Sequence, residues 1–344
     1  MMVTRNAKRV GWITFLAGTA LCSISWASSI GITTNSGSQD ANGHNSGVNE
    51  NIANGVPDPG NGATGSAGWL ASGSVSGNLF TDSALSQSSD PTGITSGLAI
   101  GSASLVNATV HAYTATLNDT GFDFNQSGYQ SSARVNSNWV ESLTWQPLPG
   151  NAVGSLVPVT FNIFADTGFF DNTAFSGFTS FFYSVLLPDI RDGSGNSQGS
   201  QLRWSSDESS DGFGDVSTHN NFCTISGTCY NAPSLSGTNG FETFAYGITG
   251  GLGIMTATVQ GYAVSGSPFE VGMGIVANSS GDDAYIDFAN TGWLTIDSPA
   301  AFTSQSGVFL SQPYSLNAPE PATALYLLPG LAAIVWLRRK DGDR

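Results

Sequence analysis

Between Leu156 and Asp166 the chain reads LVPVTFNIFAD, and from Val157 to Ile163 apolar and polar positions alternate without a slip. Val157, Val159, Phe161 and Ile163 fall on one side of an extended backbone, opposite Pro158, Thr160 and Asn162. That two-residue period is the pattern of a half-buried strand. The same texture returns in FTSFFYSVLLP, FETFAYGIT, GIMTATVQGYAVSG, PFEVGMGIVAN, AYIDFANTGWLTID and AFTSQSGVFLS, each bounded by Gly, Asn, Asp or Pro. No stretch of the body shows a long apolar run at helical spacing with caps. The pattern predicts an all-β protein, an antiparallel β-sandwich of jelly-roll-like form, with the 20 Phe supplying the faces that two sheets bury. No internal repeat is visible, which argues against solenoids and propellers.

Within NSNWVESLTWQPL the alternation sets Trp139, Glu141 and Leu143 on one face and Val140, Ser142 and Thr144 on the other. Residues 28–67 are dominated by Gly, Ser and Asn, with clusters such as GVPDPGNGATGSAG, and are expected to be partly flexible. Apolar islands begin at Gly68, so the sandwich is expected over 68–312. Two smaller sandwiches divided in the 189–200 loop are the alternative.

Charge narrows the functional classes. Of ten cations, Arg5, Lys8 and Arg9 open the chain and Arg338, Arg339, Lys340 and Arg344 close it. Between them lie only Arg134, Arg191 and Arg203, with no lysine, and the net charge is −15. Such a body is repelled by phosphate backbones, which excludes a nucleic-acid binder. The first cations precede the apolar VGWITFLAGTALC and the small-x-small triplet Ser25-Trp26-Ala27. This is the layout of a secretory signal peptide over 1–27, with cleavage expected after Ala27. The apolar run is shorter than the roughly 20 residues of a membrane span. Leu21 before Cys22 is too bulky for lipoprotein processing.

Export leaves Cys223 and Cys229, in FCTISGTCY. A disulfide closing a hairpin tip is the expected state; a metal site that also uses His219 is the rival reading. Chemistry beyond this is sparse. GNSQG (Gly195 to Gly199) matches G-x-S-x-G around Ser197, but no strand-turn-helix context surrounds it. His44, His111 and His219 are scattered and lack catalytic-zinc spacing. In SSDESSDGFGDVS, Asp207, Glu208, Asp211 and Asp215 crowd around glycines, so Asp207, Asp211 and Asp215 are weak calcium candidates beside the reading of a solvated acidic loop. Asp282, Asp283 and Asp287 form a weaker group. Trp145, Trp204 and Trp293 could stack on sugar rings if exposed, with core packing expected for at least two of them. No cofactor and no catalytic residue is expected.

The C-terminal region carries Pro319-Glu320-Pro321, an apolar segment from Ala322 to Leu337, and Arg338-Arg339-Lys340. As a helix, 322–337 spans about 24 Å, short against a hydrocarbon core of about 30 Å. The cations after it hold to the cytoplasmic side, which leaves the body outside the membrane. The three parts in this order resemble the PEP-CTERM sorting signal of exported bacterial proteins, here over 313–344. The resemblance implies a transmembrane helix over 322–337, transient membrane retention, recognition by an exosortase and removal of the tail. It also implies a Gram-negative host that makes extracellular polysaccharide. The expected function is that of a non-enzymatic surface or extracellular-matrix protein associated with exopolysaccharide. A calcium-dependent carbohydrate-binding module and a secreted glycan-active enzyme are the alternatives.

Overall fold

The computed structural model of the chain describes residues 28–39, 44–57, 63–65, 70–91, 95–118, 130–170, 176–211, 216–249, 252–281 and 284–311. The expected signal peptide, the expected sorting residues Pro319, Glu320, Pro321, Arg338, Arg339 and Lys340, the apolar segment 322–337, and Asp215, Asp282 and Asp283 lie outside them. No helix among the described residues is long and apolar enough to cross a membrane.

The described chain is built from strands. In order they are β1 (Ser29–Gln39), β2 (Asn45–Ala53), β3 (Val56–Pro57), β4 (Ala63–Gly65), β5 (Leu70–Asn78), β6 (Thr81–Ser89) and β7 (Thr95–Ser104). Then come β8 (Thr109–Asn118), β9 (Gln130–Trp145), β10 (Leu156–Phe170), β11 (Ser176–Leu186), β12 (Gln201–Asp211), β13 (Val216–Cys223) and β14 (Cys229–Tyr230). The last are β15 (Ser234–Asn239), β16 (Glu242–Thr249), β17 (Leu252–Val264), β18 (Pro268–Gly281), β19 (Tyr285–Asp297) and β20 (Phe302–Ser304).

Two antiparallel sheets result. The first runs β14-β13-β12-β11-β18-β9-β1-β2-β3, with β20 also on β9 and β4 also on β2; the second runs β15-β16-β17-β10-β19-β8-β7-β6-β5. The chain changes sheet at every step from β8 to β11 and again from β17 to β19. These seven strands, with β12 beside β11, lie in the order β8-β19-β10-β17 against β9-β18-β11-β12, the interleaving of a jelly roll. Hairpin strands widen both sheets at their ends.

One core lies between the sheets, from Ile30 to Phe309. Ile190, in the loop where a two-domain division was considered, is buried in it. The core has two characters. Across the jelly roll and its extension by β13 and β16 it is aromatic: Trp145 meets Phe269 edge-on at 5.2 Å, Phe181 meets Trp204 at 4.8 Å, and Phe222 stacks on Phe244 at 4.8 Å. Toward β1, β2, β6 and β7 it has no rings, and small and hydroxylic residues stand beside Ile30, Ile32, Val48 and Ile52. Thr34 Oγ1 and Ser86 Oγ lie 2.7 Å apart across the gap, and within the first sheet the paired Ser38 Oγ and Ser46 Oγ lie 2.9 Å apart. There the sheets approach closely. A Cβ on Gly97 would collide with the Ser132 carbonyl, and one on Gly101 would stand 2.7 Å from Ser137 Oγ.

This half holds the main departure from expectation. The first sheet starts at Ser29, within the segment expected to be partly flexible and well before Gly68. β1 pairs with β9 on one side and β2 on the other, and its burial alternates over its whole length. Its inward residues after Ile32 are Thr34, Ser36 and Ser38, all buried. Hydroxyls and glycines that read as loop chemistry form an inner face here because a narrow gap accepts nothing larger.

Candidate functional site

The aromatic residues first considered for sugar contact divide by face. Trp145 and Trp204 are fully buried and belong to the core. Trp293 lies on the outer face of the second sheet, half-buried, where its ring stacks on Phe164 with centroids 5.4 Å apart and planes at 21°. Phe164 and Trp293 are directly paired across β10 and β19.

The chain builds a strip around this pair. The register of β10 with β19 shifts between Ala165 and Gly168, and that of β19 with β8 between Phe288 and Gly292. Asp287 and Trp293 stand an even number of residues apart on β19 and so share its outer face, and the irregularity between them takes up five residues of β19 against three of β10. Asp287 pairs with Gly168 on one side and Tyr113 on the other, while Asp166 sits opposite Ile254. Leu252, Ile254 and Tyr285 are exposed along the same face. The result is a shallow strip of rings and aliphatic side chains with two carboxylates in it.

The carboxylates feel each other. Burial, and then the charge of Asp287, push the Asp166 carboxyl up to about 6. Burial, reinforced by Asp287 and Tyr285, pushes the Tyr113 hydroxyl up to about 12. Two adjacent acids among aromatic rings can accept hydroxyl hydrogen bonds from a polyol stacked on those rings, since each ring offers an apolar face and each carboxylate a strong acceptor. Sequence reading placed Asp287 with Asp282 and Asp283 and gave Asp166 no role. The two residues meet only through strand pairing.

The first sheet carries a groove of about 250 Å³ on its outer face. Gly272 and Gly274 form its floor; Asn136, Asn138 and Val140 stand on one side and Phe182, Ser184 and Leu186 on the other. Its polar groups are the neutral amides of Asn136, Asn138 and Gln201 and the Ser184 hydroxyl, set among apolar side chains, with no titratable group among its lining residues.

The acidic cluster expected as a loop is largely strand. Asp207 and Glu208 are successive residues of β12 and therefore project to opposite faces. Asp207 Oδ2 lies 3.0 Å from His219 Nδ1 across the β12–β13 pair. Burial raises the Glu208 carboxyl. Asp211 closes β12. Among the described residues no three His, Cys, Asp or Glu side chains converge as a metal site would require. Ser197 lies in the loop between β11 and β12, so a strand stands on either side of GNSQG. His111 is buried on β8, and His44 is exposed just ahead of β2.

Cys223 and Cys229 form a disulfide that joins the directly paired ends of β13 and β14. The turn it closes is anchored from the other sheet. Glu242, fully buried at the start of β16, accepts the Ile225 N–H at 2.9 Å, and Asn239 Nδ2 donates to Ser226 Oγ at 2.6 Å. Burial pushes the Glu242 carboxyl up to about 7.

A second buried carboxylate gathers the ends of the body. Glu141 shares the inner face of β9 with Trp139 and Leu143, as the alternation predicts, and is 0% exposed. Its Oε1 accepts Ser28 Oγ–H at 2.6 Å, its neighbour Ser142 N–H at 2.8 Å and Gln305 N–H at 3.1 Å. The beginning and the end of the sandwich therefore meet at one side chain.

No family model, curated protein or solved structure matches the chain.

Proposed function

We propose that the chain is an exported, non-enzymatic protein of the cell surface or extracellular matrix of a Gram-negative bacterium, sorted by an exosortase through its C-terminal signal. The observation that carries this reading is the order Pro319-Glu320-Pro321, apolar 322–337, Arg338-Arg339-Lys340 behind a lysine-free acidic body with an export leader. The disulfide supports it, because such bonds persist in oxidising compartments. The two prolines keep the segment before the apolar span extended and open to a processing enzyme. Expression of Glu320→Ala and of a variant lacking Arg338-Arg339-Lys340 in an exosortase-bearing host tests the sorting. Unprocessed or mislocalised precursor is expected; normal processing of both refutes it.

The strip around Trp293, Phe164, Asp166 and Asp287 favours a second reading, carbohydrate contact through the outer face of the second sheet. It fits the first reading if the matrix polysaccharide is the ligand. A glycan array with and without chelator tests both the contact and any calcium dependence. Trp293→Ala is expected to abolish retention while leaving the fold intact. Unchanged retention of Trp293→Ala, or no glycan bound by the native protein, removes this reading.

A further inference from the structure

Glu141 Oε1 is fully engaged, but Oε2 is buried and, among the described residues, has no hydrogen-bond donor. The side chain is wholly enclosed, and a buried carboxylate is retained only where charge or donors compensate it. The body's few cations do not supply a partner: Arg191 is held by the Gly195 carbonyl at 2.8 Å, Arg203 by Gln201 at 2.8 Å, and Arg134 lies exposed farther along β9.

Maturation supplies one. β1 and β9 pair in a register that sets Ser29 opposite Val140, so Ser28 stands opposite Glu141. Directly opposed residues of an antiparallel pair have Cα atoms about 4.5–5.5 Å apart. The Ser28 hydroxyl already touches Oε1, and the backbone nitrogen of the same residue is only three bonds from that hydroxyl oxygen. In the precursor this nitrogen is an amide. Cleavage after Ala27 would turn it into an α-ammonium group, with a full positive charge and three donors.

We propose that Glu141 is a docking site for the mature N-terminus: signal-peptide removal creates a buried ion pair between the Ser28 α-ammonium and Glu141 Oε2. The step is hydrolysis of the Ala27–Ser28 amide by water; the new carboxylate leaves with the leader and the new amine takes up a proton. The same carboxylate holds Gln305 N–H, so the pair also fastens the segment that leads to the sorting signal. This rests on cleavage after Ala27.

The composition gives a clean test. A mature chain beginning at Ser28 has no lysine before Lys340, so an amine-reactive acylating reagent can label only its α-amino group and that tail residue. The exported protein is purified, its N-terminus is sequenced, and labelling of the N-terminal peptide is followed by mass spectrometry, folded and in urea. The folded amine is expected to react slower than the unfolded one by about tenfold or more, because the pair must open first. One Gly inserted between Ala27 and Ser28 moves the amine off the carboxylate and should restore fast labelling. Glu141→Gln should do the same where it folds. A chain that begins at Ser28 and labels equally fast folded and unfolded overturns the ion pair while leaving the cleavage reading intact. A different N-terminus overturns the cleavage reading and the pair with it.

Discussion

Gly101→Ala is the most direct probe of the narrow half of the sandwich. In an ordinary strand this change stabilises by about 0.5–1 kcal/mol, because alanine has less freedom to lose. Here the added methyl would stand 2.7 Å from Ser137 Oγ, 2.8 Å from Val135 Cγ1 and 2.9 Å from Ile32 Cγ2. Val135 and Ile32 are β-branched and stiff at χ1, so neither yields easily. Overpacking of this kind costs about 1–3 kcal/mol, and it outweighs the entropy gain. The expected net effect is a loss of about 1–2 kcal/mol. Ser137 decides the mechanism, since its hydroxyl is buried without a hydrogen-bond partner among the described residues. Ser137→Ala alone should be neutral or stabilising, because it removes an unsatisfied polar atom. In the double variant it also removes the nearest obstacle to the methyl, so the two changes should couple by about 0.5 kcal/mol or more in the favourable direction. Urea unfolding of the protein and its three variants measures this, with an unchanged slope showing that stability alone has moved. A higher midpoint for Gly101→Ala, or effects that simply add, refutes the claim that the sheets touch here.

Other predictions use the same unfolding assay. Glu242 has its folded pKa raised from 4.5 to about 7 by burial, so the folded chain keeps a proton that the unfolded chain releases. The stability Glu242 contributes is therefore fully present below about pH 4.5 and is lost as pH rises to 7, by at most about 3 kcal/mol. Glu242→Gln should flatten that slope, leaving the decline that belongs to the other acids raised by burial, Asp166, from 3.8 to about 6, with Asp82, Glu208 and Glu270. Trp204→Ala should cost about 3–5 kcal/mol by emptying the core between Phe181 and Phe288, whereas Trp293→Ala should cost far less; equal losses would put Trp293 in the core. Asp82→Ala removes the buried acceptor of the Gly55 N–H at 2.9 Å, with an expected loss of about 1–3 kcal/mol; an unchanged midpoint would show that water replaces it.

What the sequence reveals depends on which residues face inward. Val157 to Ile163 announce their strand because their inward side chains are large and apolar. Trp139, Glu141 and Leu143 are equally legible, and the alternation carries the charged residue to the buried face with its neighbours. β1 is not legible, although its period is just as regular, because Thr34, Ser36 and Ser38 are also the residues of loops. Only the opposite sheet, with Gly97 and Gly101 at the contact, makes them a core. The outer strip fails to show for another reason. Asp166, Asp287, Phe164 and Trp293 come from two strands distant in sequence, and local spacing carries no information about which strands pair. The Cys223–Cys229 pair is readable because its geometry is local.

That disulfide also bears on how the first sheet ends. β14 is two residues long and forms the sheet's edge, held against β13 by the bond. At the other edge β3 is two residues ending in Pro57, and β4 is three residues. Short edge strands and proline prevent chains from pairing edge to edge, a hazard for a protein concentrated at a surface or in a matrix. Opening the bond releases a closed loop with a sequence separation of 6, for which chain entropy gives about 2 kcal/mol. The larger consequence is geometric. Without the staple β14 is free to peel away, and β13, Val216–Cys223, becomes an eight-residue edge. Cys223→Ala/Cys229→Ala should therefore lose about 2 kcal/mol and also acquire concentration-dependent association, visible in sedimentation velocity at concentrations where the native protein stays monodisperse. Lost stability with no associated species would make the bond a plain staple, and the protection of the edge would have to come from β12 and β13 themselves.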